Sequence, residues 1–150
     1  MQKKENGVIQ IEYIIKLGTL VNLLGDSLKY LQLEREITDL HLFVSTIKAI
    51  EAEFAKLDPE IFKQPLAGEL YDHIKSCHQL FKEMLDNFGK MTDCIEAFFR
   101  TGNEEELLRL ASGEFFDIYT EQSRKMIKQV DNLNTAYARL NKKFSRLVRR

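Results

Sequence analysis

Nine lysines and arginines lie between Arg124 and Arg150 against one acid, Asp131, whereas residues 1–123 carry thirteen bases and twenty-two acids. The formal net charge of −1 therefore conceals a segment of +8 joined to one of −9. Bases gathered in this way point to an anionic partner, such as a membrane surface or an acidic protein. Their spacing places them on one side of a helix. Met126, Val130, Leu133, Tyr137, Leu140, Phe144 and Leu147 recur at steps of four and three, the seam of a helix packing on another helix. With Met126 at heptad position d, Arg124, Lys125, Lys128, Arg139, Lys142, Arg146 and Arg149 fall at b, c or f, which form one face, and Lys143 is counted with them. A merely solvated face would also carry Lys and Arg at those positions, because both are good helix formers. It would not exclude acids, and earlier in the chain Glu34, Arg35, Glu36 and Asp39 do intermix.

Other residues with chemical potential do not converge. His73 and His78 are five apart, about 140° round a helix, so they do not share a metal at i, i+4 spacing. Glu69 and His73 lie four apart on one face but lack the Glu-x-x-His repeats of di-iron bundles. No phosphate-cradling glycine loop and no G-x-S-x-G elbow occurs, so no catalytic residue, metal or cofactor is expected. Cys77 and Cys94 make no metal-type spacing and are expected to be reduced core thiols. Nucleic acid is the less favoured anion. Tyr137 and Phe144 belong to the seam and are not free to stack on bases, and the whole chain is slightly acidic.

The elements that must position these residues are helices. A chain of 150 residues, 44% hydrophobic with seven glycines and two prolines, suits one helical domain over residues 1–150. Met1 to Asn6 is polar with no apolar run behind it, which argues against a secretory signal. The longest charge-free stretch, Leu17 to Gly25, has nine residues, against roughly 20 for a spanning helix. Membrane contact is accordingly expected to be peripheral, with the protein made soluble in the cytoplasm.

Pro59 and Pro65 divide the chain. Before them, Ile11, Ile14, Ile15, Leu17, Val21, Leu24 and Leu28 make one apolar stripe, and Leu31, Ile37, Leu40, Val44, Ile47, Ile50 and Phe54 make a second. A reversal is expected between Gly25 and Glu34, where Asp26 and Ser27 are the local helix-start signals. After the prolines a long helix is expected from Leu66, with a soft point at Gly89 and a short extra helix between Gly89 and Arg100 as an option. Gly102 suits a helix C-terminus, and Asn103 with Glu106 has capping-box spacing. The last helix is expected from Glu104 towards Leu147, loosened or bent at Gly113. The architecture expected is an all-α antiparallel four-helix bundle.

Three stretches resemble the HeLo and HeLo-like four-helix bundles, as found at the N-terminus of mixed-lineage kinase domain-like pseudokinases. Ile14-Ile15-Lys16-Leu17-Gly18, leading through Leu28-Lys29-Tyr30, is similar to the opening of such domains. Leu80-Phe81-Lys82-Glu83-Met84-Leu85 resembles their third helix. Ala97-Phe98-Phe99-Arg100-Thr101-Gly102-Asn103, followed by Glu106-Leu107-Leu108, resembles the junction into the fourth. The likeness covers about residues 8–137. It implies a cell-death or immune effector that oligomerises and permeabilises membranes, commonly as the N-terminal part of a longer protein. In animal members, bases of the first two helices are thought to meet anionic lipid. Here residues 8–58 hold five bases, Lys16, Lys29, Arg35, Lys48 and Lys56, against eight acids, so that role is not carried over to them. The alternative expectation is a helical interaction or oligomerisation module without a membrane role and with no small-molecule substrate.

Overall fold

A computed structural model describes residues 2–32, 36–57 and 68–148, with side chains described for 12–31, 36–57, 72–139 and 142. All regular structure among the described residues is helical: α1 Gln2–Ser27, α2 Lys29–Gln32, α3 Ile37–Ala55, α4 Gly68–Thr101, α5 Glu105–Ala111 and α6 Glu114–Val148. Four are long, and they pack as a bundle around one core. Residues 58–67, which include both prolines and Leu66, lie outside the described residues, between the end of α3 and the start of α4.

Each long helix buries the stripe that its 3.6-residue period gathers on one side. Along α1, Tyr13, Leu17, Leu20 and Leu24 are buried, as is Leu28 just beyond its end, while Ile14 and Val21 flank them. Ile15 is 62% exposed, contrary to its place in the expected stripe, because two residues beyond Tyr13 is 200° round the helix. Ile37 is also 62% exposed; it is the first residue of α3, ahead of the buried run Leu40, Phe43, Val44, Ile47 and Ile50. Ile11 lies outside the described side chains. At the end of α1 the Ser27 hydroxyl donates to the Leu24 carbonyl at 2.6 Å, so this residue closes a helix and does not start the next one. Residues 33–35, within the expected reversal, are outside the described residues.

No break occurs at Gly89. Helix α4 runs through it, since fully buried Phe88 and Met91 on either side outweigh the roughly 1 kcal/mol cost of an interior glycine. Ile74, Cys77, Leu80, Phe81, Met84, Leu85, Cys94 and Ile95 complete its buried face. Both cysteines are free and buried, and burial pushes the Cys77 thiol up to about 11. Phe88 is the hub: its ring lies 6.1 Å from Phe43 of α3 and edge-on to Tyr119 of α6 at 5.4 Å.

The last helix is divided. Gly102, at φ +69°, ends α4 with its N–H donating to the Phe98 carbonyl at 2.7 Å. Asn103 Oδ1 then accepts the Glu105 N–H at 3.0 Å, but the capping box does not close. The Asn103 N–H goes to Thr101 Oγ1 at 3.2 Å, and Glu106 pairs forward with Arg109 at 3.6 Å. After seven residues α5 stops at Gly113, whose φ of +90° no ordinary side chain adopts cheaply. Replacing Asn103 by Ala should cost about 1 kcal/mol through loss of the one capping bond, measurable as a shift in the urea midpoint.

Helix α4 packs along α6 over the greatest length. Asn87 Nδ2 donates to the Phe115 carbonyl at 3.1 Å, Phe88 meets Tyr119, and Lys75, Ser76 and Gln79 line a groove with Lys125, Lys128 and Gln129. Numbers thus rise along α6 as they fall along α4. A Cβ at Gly25 would lie 3.2 Å from the Tyr119 hydroxyl, so this side chain of α6 reaches α1 at that glycine.

Candidate functional site

The basic segment is carried by α6, 35 residues or about 52 Å of helix. Its inner face is anchored by Phe115, Met126, Leu133 and Ala136, all buried, with Val130 half-buried. Tyr137 stands at the rim, 36% exposed, although the heptad places it in the seam. Continuing the Phe88–Tyr119 register puts Tyr137 close to the level of Gly68, the first described residue of α4. The last ten or so residues of α6, about 15 Å, therefore extend past the first turn of α4. Leu140, Phe144 and Leu147 occupy this extension, and their side chains lie outside the described residues.

Opposite the seam, Arg124, Lys125, Lys128, Arg139 and Lys142 are exposed. Arg124 Nη1 lies 3.4 Å from Glu121 Oε2, one turn back. Lys125, Lys128 and Lys142 form no ion pair with the described residues. Elsewhere Lys29 pairs with Asp26, Lys56 with Glu53, Arg109 with Glu106, and Lys48 with Glu96 across α3 and α4 at 2.7 Å, while Lys16, Lys82, Lys90 and Arg100 form no ion pair among the described residues. The hydrogen bond to Glu96 raises the Lys48 pKa. Lys143, Arg146 and Arg149 lie outside the described side chains, so the structure brings together the first five bases of the predicted face and leaves those three undescribed.

Helix packing adds a base that the sequence reading did not include. Lys75, on α4, borders an open groove of about 560 Å³ whose other wall carries Lys125 and Lys128 of α6. Ser76, Gln79 and Gln129 contribute uncharged polar groups, and Leu80 and Glu83, the one acid, complete the lining. Lys75, like the two α6 lysines, has no ion-pair partner among the described residues. Its membership depends on the register of α4 against α6, which no local spacing in either helix encodes.

Two of the three histidines pack against aromatic rings. His41 stacks on Phe99 at 4.1 Å, and no metal-ligating group of three acids, histidines or cysteines occurs among the described residues. His78 is half-buried, its Nδ1 hydrogen-bonded with the Tyr13 hydroxyl and its ring 4.8 Å from Phe54. Burial, and secondarily Lys82, lower its pKa below the ordinary 6.5, while burial and nearby Cys77 raise that of Tyr13. A histidine that resists protonation only when folded destabilises the fold as pH falls through its unfolded value. Above about 6.5 both states are neutral and it has no effect; below, the unfolded chain takes up the proton first. The melting temperature should therefore drop between pH 7 and 5, and His78→Gln should flatten that dependence. An unchanged slope would show that other groups control it.

No helix among the described residues is long and apolar enough to cross a membrane. No protein-family model matches the chain, and neither does any curated protein or solved structure.

Proposed function

We propose that this bundle is a non-catalytic effector module of HeLo-like type that self-associates and docks on anionic membrane surfaces through the basic face of α6. The observation that carries the reading is the set of exposed lysines Lys125, Lys128 and Lys142, without ion pairs among the described residues, on a helix whose opposite face is buried. A basic amphipathic helix held by a folded core presents its charges as a pre-arranged array, and each base near an anionic leaflet contributes about 1 kcal/mol. Four or five engaged bases suffice for measurable, reversible association, which fits a cytoplasmic protein recruited to membranes. Membrane permeabilisation, as in cell-death or immune signalling, is the activity that the HeLo-like resemblance adds to this reading.

A second reading draws on the extension of α6 beyond α4. Its heptad positions Leu140, Phe144 and Leu147 continue the seam past the first described turn of α4, which favours pairing with another helix and no membrane role. Dye release from phosphatidylserine liposomes separates the two. The effector releases dye at low ionic strength, and the interaction module leaves the vesicles intact.

A further inference from the structure

We propose that Ser145, near the end of α6, is a phosphorylation site for a serine kinase that recognises basic sequence, and that the phosphate releases the protein from anionic membranes. The proposal rests on reading the α6 face as membrane-binding and adds the means of turning that binding off. Residues 142–150 hold five bases and no acid, and they surround Ser145: Lys142 and Lys143 lie three and two residues before it, Arg146, Arg149 and Arg150 one, four and five after. In the heptad frame Ser145 falls at b, off the apolar seam. Thr135 is the one other serine or threonine between Arg124 and Arg150, and no base lies within three residues of it.

The fold separates Ser145 from the rival serine at the other end of the basic segment. A kinase takes its substrate as an extended strand, so a serine in a helix must open locally, which costs least where no neighbouring element packs. Among the described residues no helix continues beside the end of α6. Helix α4 begins at Gly68, α1 begins at Gln2 with its Tyr13 beside His78, and α3 ends at Ala55 with Phe54 against the same histidine. Ser123 also has bases after it, Arg124 and Lys125, but it is half-buried, and buried Met126 three residues on ties its turn to the core. Glu121, two residues before it, adds an acid that Ser145 does not have.

In the transfer, Ser145 Oγ attacks the γ-phosphorus of ATP. The Oγ–P bond forms, the bond from that phosphorus to the β,γ-bridging oxygen breaks, ADP leaves with the electron pair, and a base of the kinase takes the hydroxyl proton. The phosphoserine carries about −1.5 to −2 charges at neutral pH. Lys142 is three residues back and Arg149 four residues on, spacings that bring side chains together on a helix, with acid before base in the more favourable order. The phosphate therefore offsets about two of the five bases that the end of α6 offers to lipid.

The test uses the full 150-residue chain. A lipid-independent catalytic fragment of protein kinase C with ATP serves as the basic-directed enzyme, and mass spectrometry locates the phosphate. Partition onto phosphatidylserine vesicles is then measured by vesicle titration at 0.1 M salt, where the screening length is about 10 Å. Ser145→Glu places one negative charge without any kinase. Ser45→Glu makes the same change on an exposed residue of α3, roughly 35 Å along the bundle by the register of Phe43, Phe88 and Tyr119.

Phosphate should appear at Ser145 ahead of Ser123 and Thr135, and Ser145→Ala should abolish that modification while leaving flotation unchanged. Each charge offset is worth about fivefold, so the phosphorylated protein should partition about 25-fold more weakly and Ser145→Glu about fivefold. Ser45→Glu should change partition by less than about twofold. A Ser145 that stays unmodified, or equal weakening by the two glutamates, would overturn the proposal. Phosphate on Ser145 with unaltered partition would overturn it too and leave the membrane reading standing. An unmodified chain that does not float even at 0.01 M salt would end both.

Discussion

Replacing Phe88 by Ala should destabilise the fold by about 3–5 kcal/mol, the largest loss expected from any single truncation described here. Phe88 is fully buried on α4, and its ring is in contact range of Phe43 on α3 and Tyr119 on α6, so one deletion empties the junction of three helices. The close packing of interiors leaves the cavity largely unfilled, which adds to the lost transfer energy. Leu133→Ala, on the buried face of α6, should cost about 2–5 kcal/mol by the same mechanism. Urea denaturation followed by circular dichroism reads both. A loss under about 0.5 kcal/mol at Leu133 would mean that the seam faces solvent in the monomer and is free for a partner.

The second large effect concerns the basic face. Reversing Lys142, Lys143, Arg146 and Arg149 to Glu removes four positive charges and adds four negative ones near the end of α6, while every seam position is kept. At about 1 kcal/mol for each base lost, affinity for an anionic vesicle should fall by at least about 4 kcal/mol, close to a thousandfold, which abolishes flotation. Stability should change little. Substitutions off the heptad seam are usually worth less than about 0.5 kcal/mol each, and the variant should keep a cooperative melt. Unfolding of the variant would show instead that these bases hold the bundle together.

The helical class and the core were legible wherever a single helix decides its own inner face. Leu17, Leu24, Leu40, Val44, Ile47, Ile50, Ile74, Phe81, Met84 and Phe88 follow the 3.6-residue period and are buried. Elsewhere the period alone misleads. Ile15 is apolar yet faces out, while Tyr13 and Leu20 are buried in its place, because which side of α1 faces inward is settled by α3 and α4. Gly89 reads as a soft point locally, but packing of its neighbours keeps α4 continuous. Gly113 reads as a bend and is a full break, because its backbone adopts a positive φ that ends α5.

The candidate site shows the same division. The bases of α6 share a face by their spacing, and the exposed positions of Arg124, Lys125, Lys128, Arg139 and Lys142 follow from it. Lys75 could not be placed with them, since it lies some fifty residues earlier and meets Lys125 and Lys128 only through the α4–α6 register. Tyr137 belongs to the seam by spacing and sits at its rim by position along the bundle. Periodicity finds the face of a helix, and only packing tells how far along that helix a partner continues.

The central claim, that α6 presents its basic face to anionic membranes, is tested most directly by flotation of the unmodified chain with phosphatidylserine vesicles at two ionic strengths. Screening lengths fall from about 30 Å at 0.01 M salt to about 8 Å at 0.15 M, so an association carried by exposed lysines must weaken across that range. The account predicts that the protein rises with the vesicles at 0.01 M and is largely released at 0.15 M. Protein that stays at the bottom of the gradient at low salt would contradict it and leave α6 as a surface for another protein.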